Sequence, residues 1–478
     1  MKQLHIRFRV LTLLIIGLLC VAGIYGVYSV STYGNRWFSS ARNTRYRSAR
    51  SSVIKGTIVD RNRVVLASTD AQGNRVYQGD ALSRSAIVHL IGDEDGFVAN
   101  GVDSFQANYL LGFETSLSER VTALLKGETR QGDNIMLTVD SRLCTGIATA
   151  FDTGGSTKGK GGAAVVMNYR TGEVLALVSF PIFDPANLDD AVKNNPQHPF
   201  WNRALQSTLP PGSIFKIVTT AASLQTMPDA KEHVYECMGE LAVVDTMNRL
   251  ISDYHKAKHG DIQLERAFTV SCNCTFAQIS LMVGDTAMRK TAEAFGFNDN
   301  FLFRDLVVEN STYPTKNRND FEIAWSGAGQ SRITVTPMHM CMLASAIANN
   351  GVMMEPRLIG RVQSPTGVVR QQYFPKQYTQ ALDSVTAKTI AGYMKNVVQK
   401  GTGTAAGVSG LSIAGKTGSA ESSVNGKPIT YAWFIGYIDD PSLPYACSIL
   451  VEGGNTGGSV AAPIASKIFS YLKTYYKK

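Results

Sequence analysis

Residues 210–220 read Pro-Pro-Gly-Ser-Ile-Phe-Lys-Ile-Val-Thr-Thr (PPGSIFKIVTT), and the rest of the chain is read outward from them. Two prolines and a glycine run into an apolar stretch, which predicts a helix from Ser213 to Gln225. Ser213 and Lys216 are three residues apart, so on a helix they share a face at its first turn. A serine hydroxyl is a weak nucleophile until a base takes its proton. Lysine ordinarily keeps its proton, with a pKa of about 10.4. The positive end of a helix dipole and the apolar surround of Ile214 and Phe215 both disfavour the ammonium form. The stretch therefore suits a neutral lysine beside a serine. The same helix start leaves backbone N–H groups free to face a developing oxyanion. Taken alone, Ser-x-x-Lys is a short pattern that a helix cap followed by a surface lysine also satisfies.

Two more patterns follow in order. Val270-Ser271-Cys272-Asn273 contains Ser-x-Asn, and Ala414-Gly415-Lys416-Thr417-Gly418-Ser419 contains Lys-Thr-Gly followed by a hydroxyl residue. The ordered trio, at domain-scale spacing, is the set shared by penicillin-binding proteins and class A β-lactamases. On these motifs the chain resembles the class B penicillin-binding proteins, the monofunctional peptidoglycan DD-transpeptidases, of the short membrane-anchored type. The resemblance continues in Phe183-Asp184-Pro185, Asn202-Arg203-Ala204, Gly327-Ala328-Gly329-Gln330, Glu355-Pro356 and Tyr431-Ala432-Trp433-Phe434-Ile435-Gly436-Tyr437. It extends from about Asp133 to Ser470. It is looser from Lys55 to Arg63, where the family usually has Arg first and Gly last.

The resemblance implies a role for each motif residue. Ser213 is the nucleophile, Lys216 its base, and Ser271 relays a proton between Lys216 and the leaving amine. Asn273 holds a substrate amide. Lys416, Thr417, Gly418 and Ser419 receive the terminal carboxylate of a D-alanyl-D-alanine peptide. Gly415 and Gly418 flank the lysine on an expected edge strand, where missing side chains let a peptide approach and pair by strand addition. The N–H groups of Ser213 and Ser419 form the oxyanion hole. A β-lactam mimics the donor and acylates the same serine. No cofactor and no metal enter this scheme.

The flanking segments fix the architecture. Ala163–Met167 and Val174–Val178 read as a hairpin around Tyr169-Arg170-Thr171-Gly172, and Tyr431–Ile438 and Tyr445–Val451 as a second around Asp439-Asp440-Pro441. Helical patterns lie between and after them: 264–270, 286–295, 337–349, 384–399 and 462–475. Early strands paired with late ones close one α+β domain, residues 133–478. By the resemblance this is a transpeptidase domain with a central, mainly antiparallel sheet covered by helices, plus a helical subdomain. Residues 31–132 read as a small, β-rich pedestal module.

Val10 to Val30 carries no charge and is long enough to span a bilayer as a helix. Lys2, Arg7 and Arg9 precede it. Ser29-Val30-Ser31 offers a cleavage site, but the length favours an uncleaved anchor over a signal peptide. The expectation is a cytoplasmic stub, residues 1–9, an anchor, residues 10–30, and a body on the extracytoplasmic face of the cell membrane. The reason is that a long domain translocates largely regardless of flanking charge.

The 478-residue chain is 44% hydrophobic and 18% charged, ordinary globular composition for two to three domains. Its net charge of +9 is scattered except for five arginines from Arg36 to Arg50, and no nucleic-acid motif accompanies them. Seven cysteines include Cys20 within the span. The other six, Cys144, Cys237, Cys272, Cys274, Cys341 and Cys447, read mainly as small buried residues, with room for one disulfide. His255-x-x-x-His259 has metal-like spacing but no evident third ligand, and reads as two surface histidines. Gly401-Thr402-Gly403-Thr404-Ala405-Ala406 matches a dinucleotide fingerprint but follows a helix rather than a strand.

A DD-carboxypeptidase or β-lactamase shares the trio and differs in using water as the acceptor. A β-lactam sensor acylates without turnover and usually has several spans. A scaffold needs no intact trio. One anchor, a pedestal and no room for a glycosyltransferase favour a cross-linking enzyme acting on peptidoglycan stem peptides. By the resemblance, a multi-span glycosyltransferase of the elongation or division machinery is its partner.

Overall fold

The computed structural model describes residues 2–38, 53–115, 117–127, 129–152, 155, 157–243, 249–316, 318–424 and 426–477. The arginine-rich stretch lies outside them beyond Phe38. A helix runs from Lys2 to Phe38, and its apolar part, Arg9–Ser29, has a mean hydropathy of 2.6 and is exposed at every position before Ser29. A helix whose leucines and isoleucines all face outward needs an apolar solvent, and its length matches a bilayer.

The main sheet has five strands in the order Ile413–Val424, Lys427–Ile438, Tyr445–Glu452, Gly162–Asn168 and Val174–Phe180, all neighbours antiparallel. Among the described residues, Val174–Phe180 pairs with no further strand of this sheet, and Ile413–Val424 is its other edge. Both expected hairpins form, and the late strand Tyr445–Glu452 pairs with the early strand Gly162–Asn168. Val174–Phe180 is buried at every position, so its sequence shows no alternation. Such strands need cover on both faces. Pro337–Ala348 packs on the central strands, its methionines Met338, Met340 and Met342 fully buried. Ser141–Asp152, Ala462–Tyr476 and Ala81–Ile91 pack together against the sheet. Lys216–Thr226, Leu264–Val270, Asn273–Val283, Asp285–Ala294, Asp320–Gly327 and Ser384–Lys400 build the helical part.

The N-terminal module contributes Ile58–Val59, Val65–Thr69 and Arg75–Tyr77 to a six-stranded sheet that continues through Asn134–Leu137, Ile359–Gln363 and Val369–Gln372. The sheet therefore crosses residue 132. Its strands share the module with helices, of which Ala81–Ile91 is capped by the Asp80 side chain on the Ser83 N–H. The departures from the family pattern have visible consequences. Arg63, where glycine is usual, sits in the left-handed region at φ 64. Lys55, where arginine is usual, ion-pairs with Asp103 at 3.6 Å, and Arg75 takes the same carboxylate at 2.8 Å.

Candidate active site

The Ser213 stretch does not begin as a regular α-helix. Gly212–Phe215 forms a 3₁₀ turn, and the α-helix starts at Lys216 and runs to Thr226. Gly212 is left-handed at φ 56, and its N–H donates to the Gly329 carbonyl at 2.9 Å. The Trp433 indole donates to the Pro210 carbonyl at 3.0 Å. The turn is thus held from the Gly329 loop and from the central sheet, and Ile214 and Phe215 are buried beneath it.

Ser271 and Asn273 come from the junction of two helices. Ser271 ends Leu264–Val270 in the left-handed region at φ 64, and Cys272 is the N-cap of Asn273–Val283. Ser271 and Asn273 line the cleft, whereas the Cys272 between them is fully buried. Lys416 and Thr417 lie on the edge strand Ile413–Val424. The cleft, about 690 Å³, has Ser213, Ser271, Asn273, Thr417, Gly418 and Ser419 among its walls.

The two motif lysines meet at one hydroxyl. Lys216 Nζ donates to Ser271 Oγ at 3.2 Å, and Lys416 Nζ donates to the same oxygen at 2.8 Å. Lys216 Nζ also donates to the Ser271 carbonyl at 2.6 Å and to Asn273 Oδ1 at 2.8 Å. Both lysines are fully buried. Burial pulls the Lys216 ammonium down to about 8, while the nearby Asp253 carboxylate pulls the other way. Burial drives Lys416 well below the ordinary lysine range, and the charge of Lys216 adds to it. Two ammonium groups on one hydroxyl in a dry pocket disfavour each other, so one lysine readily sheds its proton. The Ser213 hydroxyl is half-exposed and has no hydrogen-bond partner among the described residues. The direct Ser213–Lys216 bond expected from the spacing gives way to bonds from Lys216 to Ser271 and Asn273.

The glycines of the Lys-Thr-Gly strand serve a different purpose from the one their positions suggested. A Cβ on Gly418 would stand 2.9 Å from the Pro211 carbonyl oxygen and 3.2 Å from the Ile214 nitrogen. One on Gly415 would collide with the Phe434 ring. Their missing side chains let the chain's own turn and core approach the strand, and it is the strand's open edge that can receive a peptide. Thr417 Oγ1 shares a 2.5 Å hydrogen bond with Thr402 Oγ1, and Ser419 Oγ accepts from the Gly457 N–H at 3.2 Å.

Asp253 escaped the sequence reading, as no motif surrounds it. It is buried and accepts the Asn273 N–H on Oδ1 and the thiols of Cys237 and Cys272 on Oδ2. Burial alone would raise its carboxyl. The two thiols and the Asn273 N–H outweigh this and hold it below its ordinary value. His255 is exposed and tilted against Tyr254, whereas His259 turns inward toward Asp253 and Cys237. The seven cysteines are all free thiols, and the six outside the apolar helix are buried, as their reading as small buried residues implies.

The chain as a whole is similar to known proteins. The family model described as penicillin binding protein transpeptidase domain matches residues 162–470. The peptidoglycan D,D-transpeptidase PbpA of Mycobacterium tuberculosis is 30% identical over 376 residues, 73% of this chain and 74% of that protein. PbpA of Mycolicibacterium smegmatis is 28% identical over 391 residues, 77% of this chain and 78% of that protein. The ceftriaxone acyl-enzyme complex of penicillin-binding protein A from M. tuberculosis superposes with a TM-score of 0.79 at 26% identity, covering 88% of this chain and 99% of that one.

Proposed function

The chain belongs to the penicillin-binding protein transpeptidase family, the serine-type peptidoglycan D,D-transpeptidases that β-lactams acylate, and on that premise we propose how its own residues divide the work. The observation that carries the division is the bonded run from Lys216 Nζ through Ser271 Oγ to Lys416 Nζ beside the half-exposed Ser213.

Neutral Lys216 takes the Ser213 proton as Oγ attacks the penultimate D-Ala carbonyl of a stem peptide. The N–H groups of Ser213 and Ser419 receive the oxyanion. Lys216, now charged, passes a proton through Ser271 to the amine of the terminal D-Ala, which leaves. An amine of a second stem peptide then attacks the ester, gives up a proton by the reverse route and frees Ser213. Asn273 orients the peptide amide. Lys416, carrying a proton taken from solvent, faces the substrate carboxylate as an ammonium, and Thr417, Gly418 and Ser419 help to seat that carboxylate. The donor peptide lies along the open edge of Ile413–Val424.

In this reading residues 10–30 anchor the protein, 1–9 are cytoplasmic, and the pedestal 31–132 lifts the transpeptidase domain 133–478 on the extracytoplasmic face, where the substrate is. Water as acceptor would make the enzyme a carboxypeptidase or a β-lactamase. Fluorescent penicillin distinguishes them. Incubated with the purified chain, it is expected to form an adduct on the Ser213 peptide that persists for hours and is absent from Ser213→Ala. An adduct lost within minutes would favour a hydrolase, and no adduct on folded protein would sink the serine mechanism.

The glycan strand comes from a multi-span glycosyltransferase in contact with the anchor, because residues 31–132 are too few to hold a polymerase domain. Purification of the membrane-extracted chain in mild detergent is expected to bring that polymerase down. A swap of residues 10–30 for an unrelated span should lose it, and equal recovery with either span would remove the anchor from the contact.

A further inference from the structure

Behind the Ser-x-Asn junction, four metal-ligating side chains converge from four points of the chain. Cys237 ends the strand Val234–Cys237, Asp253 follows Leu250–Ser252, His259 precedes Gly260–Gln263, and Cys272 caps Asn273–Val283. Cys237 Sγ and Cys272 Sγ each lie 3.0 Å from Asp253 Oδ2. His259 Nδ1 lies 3.2 Å from that oxygen and 3.4 Å from Cys237 Sγ. All four ligand atoms lie within 4.8 Å of one another. Around a tetrahedral zinc, with bonds of about 2.3 Å to sulfur and about 2.0 Å to nitrogen or oxygen, such atoms stand about 3.3–3.8 Å apart. The donors therefore already approximate a tetrahedron that has only to widen slightly.

We propose that Cys237, Asp253, His259 and Cys272 bind one structural Zn²⁺, which pins the Ser-x-Asn loop in its working conformation. Three of the four donors are buried, and His259 is half-buried at the open side, where an ion can enter. Without an ion, the buried Asp253 carboxylate is compensated on Oδ2 mainly by two thiols, which are weak donors. A divalent cation there balances the charge. Cys272 Sγ accepts the Thr275 N–H at 3.3 Å, as a thiolate at a helix N-terminus would. Two sulfurs, an imidazole nitrogen and a carboxylate in tetrahedral array select zinc over the hard cations. Four protein ligands leave no open position, which marks a structural rather than a catalytic ion. On binding, the two thiols release two protons to solvent while Asp253 enters ionised and His259 neutral, giving a site of net charge −1.

The consequence for the active site is local. Cys272 stands between Ser271 and Asn273, and the other oxygen of Asp253 takes the Asn273 N–H. The ion thereby ties the segment from Asp253 to His259 to a junction that holds Ser271 in the left-handed region at φ 64. The four ligands are positioning residues, and Ser271 and Asn273 are what they position.

The test begins with metal analysis of the full chain, purified in detergent without chelator. One zinc per chain is expected. Chelator treatment followed by Co²⁺ should give tetrahedral d–d bands with thiolate-to-cobalt charge transfer. His259→Gln, at the half-exposed ligand, should fold, bind no stoichiometric zinc and lose the cobalt spectrum. Acylation by penicillin should fall at least tenfold in the stripped wild type and return on adding Zn²⁺, but not return in His259→Gln. A wild-type chain that takes up neither Zn²⁺ nor Co²⁺ would overturn the site, as would Cys237 found disulfide-bonded to Cys272 or Cys274. A zinc-loaded chain whose acylation is indifferent to stripping would overturn the positioning role. Metal content is read without any β-lactam, so failure here and failure of Ser213 as nucleophile are separate results.

Discussion

Lys216→Ala is expected to slow penicillin acylation of Ser213 by roughly 10²–10⁴-fold, the usual contribution of a positioned general base. The wild-type rate should also carry the signature of this lysine. Burial brings its ammonium down to about 8. The neutral amine is the reactive form, so the acylation rate should climb as pH rises through that value and level off above it. Lys216→Ala should lose this rise together with the rate. Lys416 touches the same Ser271 hydroxyl and is also pulled down by burial, so it is the rival base. The two lysines separate by kinetics. In Lys416→Ala, acylation should keep its pH rise, while KM for a D-alanyl-D-alanine peptide increases through loss of the carboxylate's partner. Removing Lys216 leaves Asn273 Oδ1 without its donor, so melting curves must accompany the rates. Lys216→Ala acylating at close to the wild-type rate with an unchanged pH profile would transfer the base role to Lys416.

Much of this arrangement could be read from the chain because its parts are local. Ser213 and Lys216 lie within one helical turn, the hairpins are bracketed by turn residues, and the anchor is a continuous apolar run. The edge position of Ile413–Val424 followed from glycines in a strand, although those glycines admit the chain's own turn. What could not be read depends on distant segments. Lys416 reaches Ser271 across 145 residues of sequence, and its loss of basicity comes from burial in the folded core, with the charge of the distant Lys216 adding to it. Asp253 sits in a polar stretch with no periodicity, and its partners Cys237 and Cys272 are 16 and 19 residues away. His259 looked like the second half of a His-x-x-x-His pair, yet its neighbours are those same distant residues while His255 faces solvent. The 3₁₀ start of the Ser213 helix was hidden for the same reason. It is set by the Gly329 carbonyl, which lies beyond the helix altogether.

That carbonyl makes Gly329 the position outside the motif trio whose substitution should harm acylation most. Gly329 is left-handed at φ 82, a conformation that costs an alanine about 1–2 kcal/mol. A Cβ there would collide with the Gly212 carbonyl oxygen and stand 2.8 Å from the Phe215 Cβ. Neither neighbour can yield cheaply. Gly212 is backbone in its own left-handed turn, and a Cβ on it would stand 2.8 Å from the Ser419 carbonyl oxygen. Phe215 is buried, and its ring stacks on Tyr313 at 5.9 Å. The turn bearing Ser213 is therefore clamped between the Gly329 loop and the Lys-Thr-Gly strand, and pressure from one side must move it relative to the other. Gly329→Ala is expected to cut acylation by about 100-fold or more, since a misplacement of about 1 Å in an aligned site has that effect. The melting temperature should fall only modestly, because the strain sits at the cleft surface rather than in the five-stranded core. Gly367→Ala is the control: it is equally left-handed at φ 89, has nothing within 4 Å of the added carbon and lies in a distant hairpin. Its acylation should be unchanged. If Gly329→Ala acylates like Gly367→Ala, the clamp is not what holds Ser213 in place, and the bond from the Gly212 N–H to the Gly329 carbonyl is dispensable for the reaction.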